Sequence, residues 1–138
     1  MPTLRPGETI TVLVKPTVDA FVYCYYMDGF EQVARIFPNR FQPNAFVPAD
    51  RLVEIPSGPE RPFNIRVDGA GRAEVVACLA SSTEVDGSRI GDVGAEDLTP
   101  IPGMGLQNLL NAFDGLSGAR VRSQIVPIAV VAGLDTSP

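Results

Sequence analysis

The side chains that could carry out chemistry in this sequence are few: two cysteines, Cys24 and Cys78, a single lysine, Lys15, and a scatter of carboxylates, with no histidine at all. Without histidine there is no Ser-His-Asp or Cys-His relay, no imidazole general base and almost no route to a catalytic zinc site. Each cysteine sits inside an apolar run, Ala20–Met27 or Ala73–Ala80, where burial raises a thiol pKa rather than activating it. Two cysteines alone cannot complete a tetrahedral metal set. They can pair, closing a loop of about 55 residues that would contribute about 4 kcal/mol by restricting the unfolded chain, or stay as two buried thiols acting as small hydrophobes. The residues leave both options open. Lys15, beside Pro16, reads as a surface residue at a strand end, because a nucleophilic lysine needs a desolvating pocket.

Carboxylates remain as candidate acid/base groups: Glu54, Glu60, Asp68, Glu74, Glu84, Asp86, Asp92, Glu96 and Asp97. Most flank turn residues, where acids serve solubility and turn formation, and no spacing singles out a pair of the kind that works on glycosidic bonds. The acidic, glycine-containing stretch 84–97 has oxygen ligands of the sort calcium uses but lacks the alternating acids of an EF-hand loop, so it reads as a solvated loop. Gly69-Ala70-Gly71 and Gly103-Met104-Gly105 lack the strand–GxGxxG–helix setting of a phosphate loop. No catalytic residue, metal ligand or cofactor is expected.

The elements that must position these residues are mostly strands. Thirteen glycines and 13 prolines punctuate the chain, which favours short strands and turns over a helical bundle. Thr9–Val14 alternates and then turns wholly apolar, and Pro16 ends it. Ala20–Met27 is apolar on both faces, with Phe21, Tyr23 and Tyr25 on one and Val22, Cys24 and Tyr26 on the other, as a central strand requires. Asp28-Gly29 predicts a tight hairpin with positive φ, returning through Gln32–Phe37. After an irregular, proline-rich stretch come short strands at Arg51–Ile55 and Phe63–Val67, then the second fully apolar strand at Ala73–Ala80. Leu106, Leu109, Leu110 and Phe113 fall at i, i+3, i+4 and i+7, which predicts a helix over about 105–114 stopped by Gly115 and Gly118. Ser123–Val131 is a last strand, placed at an edge or bulge by Pro127. The sum is a mainly β fold: one domain over residues 1–138, an antiparallel β-sandwich of about seven strands with one short C-terminal helix, and a flexible tail at 132–138.

Composition narrows the partners. A net charge of −5 and no extended basic patch exclude nucleic acid. No run approaches the roughly 18 apolar residues that span a bilayer. Residues 1–7 have no apolar signal-peptide core, which leaves a cytoplasmic protein or a domain excised from a longer exported one.

The segment Phe37-Pro38-Asn39-Arg40-Phe41 reads as a rigid corner: Pro38 fixes φ, Asn39 can bond its own backbone, and Phe37 and Phe41 pin it to the core. Its functional reading offers Asn39, Arg40 and Phe41 to a partner. Tyr25 and Tyr26 are equally ambiguous, because tyrosine suits half-wet grooves as well as sheet packing.

With Tyr23-Cys24-Tyr25-Tyr26, the Asp28-Gly29 hairpin, Phe37-Pro38-Asn39, the short strand ending Ile55-Pro56, and Glu74–Ser81 in that order, the chain resembles the bacterial domain-of-unknown-function family 4384, over roughly residues 5–100. The resemblance implies a domain appended to larger bacterial proteins, lipoproteins among them, with no established activity and no catalytic residues to carry over. It implies the envelope, and with it a periplasmic or otherwise extracytoplasmic setting and a Cys24–Cys78 bridge. The resulting expectation is a non-catalytic module that binds another protein, an envelope or secretion-machinery component. The alternative is a small-ligand or carbohydrate-binding sandwich with a groove walled by Tyr23, Tyr25 or Phe41.

Overall fold

The computed structural model describes residues 3–4, 7–57, 63–66, 74–85, 97–115 and 121–130. Among these residues ten strands and one helix follow in order: β1 Thr3–Leu4, β2 Thr9–Ile10, β3 Val12–Val14, β4 Ala20–Met27, β5 Val33–Phe37, β6 Phe46–Val47, β7 Val53–Ile55, β8 Ile65–Arg66, β9 Glu74–Ser81, α1 Leu106–Asp114 and β10 Val121–Val130. The turn at 68–71, most of the acidic stretch 84–97, Gly118 and the tail 132–138 lie outside the described residues.

The two apolar runs predicted as central strands, β4 and β9, lie side by side at the centre of a six-stranded sheet ordered β1-β10-β9-β4-β5, with β6 also on β4. All its pairings are antiparallel except β1 with β10. The predicted strand Thr9–Val14 is divided at Thr11 into β2 and β3, which leave the main sheet and pair separately with β8 and β7. These two ribbons pack on one face of the sheet. Ile10, Val12, Val14, Val53, Ile55 and Ile65 meet Val22, Cys24 and Val76 there, forming the second β layer of a sandwich. The opposite face carries Tyr23, Tyr25, Val33 and Leu79 and is covered by α1 through Leu109 and Phe113. The odd and even residues of β4 thus supply the two cores, as a period of two requires.

The turn differs from the tight hairpin expected, with positive φ supplied by Asp28-Gly29. Asp28 and Gln32 close a three-residue loop, and the positive φ falls on Glu31 (65°), not on Gly29. The Asp28 carboxylate accepts hydrogen bonds from the amides of Phe30 and Gln32 at 2.9 Å each, which holds the longer loop in place.

Both edges of the sheet are partly covered. Along β5, the segment 98–101 runs antiparallel, with Leu98 N–H donating to Arg35 O and Ile101 N–H to Val33 O at 2.8 Å each. On the other side, β1 pairs with the end of β10 at Ala129 and Val130. Pro127 lies in β10 opposite Val75. The close approach of Cys24 to Cys78 (Cα–Cα 4.0 Å) marks their pair as non-hydrogen-bonded. Alternation outward from Cys78 then makes Pro127–Val75 a non-hydrogen-bonded pair too. The proline's missing N–H therefore faces away from β9, and the ladder loses nothing.

Candidate functional site

The corner after β5 is built from its own side chains. Phe37 is buried in the ribbon-side core, and the Phe37–Pro38 peptide is cis. Asn39 and Gln42 exchange backbone hydrogen bonds of 3.0 and 3.1 Å, which closes a tight loop around Arg40 and Phe41. Inside it the Asn39 side chain is fully engaged. Its Oδ1 accepts from the amides of Phe41 (2.9 Å) and Gln42 (2.8 Å), and its Nδ2 donates to Ile36 O (2.8 Å). Gln42 in turn donates from Nε2 to Glu54 O at 2.9 Å, tying the corner to β7.

Asp97 holds Arg40 from the far side of the chain. The Arg40 amide donates to Oδ2 at 2.6 Å, and its guanidinium donates from Nη2 (2.9 Å) and Nε (3.2 Å) to Oδ1. The carboxyl of Asp97 is held below its usual range, first by hydrogen bonds from the Arg40 side chain, with burial working against them and the charges of Arg40 and Arg35 adding to them. Arg35 donates from Nε to Pro38 O at 2.9 Å. Arg35, Pro38, Asn39, Arg40, Pro43 and Asp97 line a shallow cleft of about 300 Å³. With two guanidinium groups and one carboxylate, the cleft is net cationic on an acidic chain.

Three predicted site residues meet here but play different parts. Arg40 and Phe41 are presented to solvent, with the Phe41 ring 50% exposed and stacked on Phe63 at a centroid distance of 6.0 Å. Of the two aromatics expected to pin the corner to the core, Phe37 is buried in it, whereas Phe41 reaches it only through Phe63. Asn39 is buried, so its role is to shape the loop; every polar atom that could address a partner is already bonded within it.

The two tyrosines are elsewhere. Tyr25 is 1% exposed and lies under the edge of the Phe113 ring, so it lines no groove; the helix took the face that sequence left open. Tyr26 is half-buried on the ribbon side, where its hydroxyl donates to Glu74 Oε1. Glu74 is fully buried at the start of β9, and its place beside Tyr26 was hidden because the two are 48 residues apart in sequence. The Tyr23 hydroxyl accepts from the Val85 amide at 2.8 Å, and burial raises its pKa. Tyr23 and Tyr25 are both buried and so wall no surface groove of the kind the small-ligand alternative would use. Cys24 and Cys78 face each other across β4 and β9 and are joined by a disulfide. Among the described residues no three acids or cysteines converge as metal ligands, and no helix is long and apolar enough to cross a membrane.

Residues 3–84 match the family described as Domain of unknown function (DUF4384). The chain belongs to this family. The match takes in the Tyr-Cys-Tyr-Tyr strand, the corner and β9, and ends beside Val85, the residue that Tyr23 fastens. The Asp97 clamp and α1 lie beyond the part that matches DUF4384. No curated protein and no solved structure matches the chain.

Proposed function

We propose that this DUF4384 domain is a non-catalytic recognition module that binds another protein through the corner after β5. The observation that carries the reading is Phe41, a half-exposed aromatic ring on a loop closed by the Asn39–Gln42 backbone bonds and braced by the Asn39 side chain. An anchor that is already ordered before binding loses little entropy on docking, and an aromatic beside an arginine is the usual composition of an interface hot spot. The cationic cleft suits a partner that brings an acidic side chain next to an apolar one. The Cys24–Cys78 bond supports an oxidising, extracytoplasmic setting, and with it a partner in the bacterial envelope or its secretion machinery.

The test is site-specific photocrosslinking in the native host. A crosslinking residue at position 41 is expected to give one discrete protein adduct, which Arg40→Glu removes. The same residue at Phe30, exposed in the loop at the opposite end of β5, should not give that adduct. No adduct at 41, or the same adducts from both positions, would overturn the reading.

A further inference from the structure

The sandwich is incompletely closed where β3 crosses the sheet. The β3–β7 ribbon is three residue pairs long, and among the described residues the side chains around its Lys15 end leave a gap over the sheet. A cavity of about 470 Å³ occupies the gap. Its floor includes Val22 of β4 and Val76, Cys78 and Ala80 of β9, and one wall is Val12 and Val14 of β3. That volume falls within the range of about 300–1,000 Å³ typical of small-molecule sites. The apolar floor and wall have a charged rim. Lys15 follows directly from the wall strand, and Arg122 stands on β10 in register with Ala80, so its side chain leaves the sheet on the cavity side. Both are exposed, neither has a carboxylate partner among the described residues, and no acidic side chain lines the cavity. On a chain of net charge −5, its one lysine and an arginine from another strand flank the same apolar opening.

We propose that this cavity is a binding site for an amphiphilic carboxylate, an alkyl chain lodged against Val12, Val22, Val76 and Ala80 with its anionic end between Lys15 and Arg122. An apolar ligand alone would find the floor but gain nothing from the rim. A small inorganic anion would find only two exposed, screened cations. The arrangement rewards a molecule that carries both properties at once. The site is separate from the corner and does not depend on the reading of Phe41.

Straight-chain carboxylates below their micelle-forming concentrations provide the probes, with binding to the intact chain followed by calorimetry and by chemical-shift changes. Affinity should rise about fourfold for each added methylene between hexanoate and decanoate. Decanoate should bind about tenfold more tightly than decanol, because only the former engages the two cations. Lys15→Gln with Arg122→Gln should bring decanoate down to the level of decanol while leaving decanol unchanged, a result that a merely unfolded variant cannot give. Ala80→Leu, which fills the floor, should weaken both ligands, and retention of the wild-type shift pattern elsewhere reports that it folds. Phe41→Ala should leave all these affinities as they are. Equal binding of decanoate and decanol to the wild-type chain, no dependence on chain length, or shifts that fall away from β3 and β9 would each overturn the proposal.

Discussion

Removing the Cys24–Cys78 bond should cost this domain a large share of its stability while leaving its architecture intact. The two cysteines are 54 residues apart in sequence. Closing a loop of that length withdraws entropy from the unfolded chain worth about 4 kcal/mol at 25 °C. Little offsets this on the native side. Cys24 and Cys78 are already opposite each other in the β4–β9 ladder, which backbone hydrogen bonds and two packed faces hold together without the sulfurs. The freed thiols would lie in apolar surroundings, where a thiol behaves as a small hydrophobe and leaves no unpaired charge. For a domain of this size a urea m-value of about 2 kcal/mol/M turns the loss into a midpoint about 2 M lower. Small domains have only about 5–15 kcal/mol to lose.

The assay is urea unfolding of the oxidised chain, the chain held in reductant, and Cys24→Ala with Cys78→Ala, all followed by far-ultraviolet circular dichroism. Intact mass should rise by two hydrogens on reduction. The reduced chain and the double variant should unfold at similar midpoints, the variant lower by about 1 kcal/mol for the small void it creates. Native spectra of all three should superimpose. A midpoint shift worth less than about 1 kcal/mol, with the bond shown by mass to have been formed, would refute the loop-closure argument. An unchanged mass would refute the pairing itself.

Two further changes test local features. Glu31 is held at a φ of 65°, a region that glycine enters freely and other residues enter at a cost, so Glu31→Gly should stabilise the chain by about 1 kcal/mol in the same urea experiment. Asp97→Asn should destabilise by about 1–2 kcal/mol near neutral pH, because its charge-assisted bonds to Arg40 are lost while the exposure of Arg40 limits what they contribute. The folded carboxyl titrates below the ordinary value of 3.8, so that contribution is complete above the unfolded-chain value and disappears as pH falls through the folded one. The gap between wild type and Asp97→Asn should therefore be flat above about pH 5 and close below about pH 4.

Much of the scaffold was legible because its signals are local. The double-sided apolar runs at 20–27 and 73–80, the i, i+3, i+4, i+7 stripe at 106–113 and the proline in the last strand each have a short-range physical cause. The division of Thr9–Val14 was not legible. Its alternation continues through Thr11, and the break reflects two different partners, β8 and β7, that lie far along the chain. The two-residue strands β1 and β6 are too short for any period to show. The site was legible only in part. Pro38 and Asn39 mark a corner by their chemistry, whereas the Asp97 clamp joins positions 57 residues apart, and the Lys15–Arg122 rim depends on the register between β9 and β10.

The placement of Tyr23-Cys24-Tyr25-Tyr26 bears on how a DUF4384 chain should be read. These four residues are the most distinctive run in the sequence, and in the structure each is committed to internal wiring. Tyr23 fastens the chain at Val85, Cys24 bonds β9, Tyr25 supports Phe113, and Tyr26 satisfies the buried Glu74. A motif spent on holding the sandwich together cannot also choose a partner. On the functions proposed above, recognition falls to side chains that the scaffold displays: Phe41 on the corner beside the clamped Arg40, and Lys15 and Arg122 around the cavity. It follows that exchanging Phe41, Lys15 and Arg122 should change what the domain binds with little effect on its unfolding midpoint, whereas Tyr25→Ala or Phe113→Ala should lower that midpoint by an amount worth about 3–5 kcal/mol and alter binding only through the loss of folded protein.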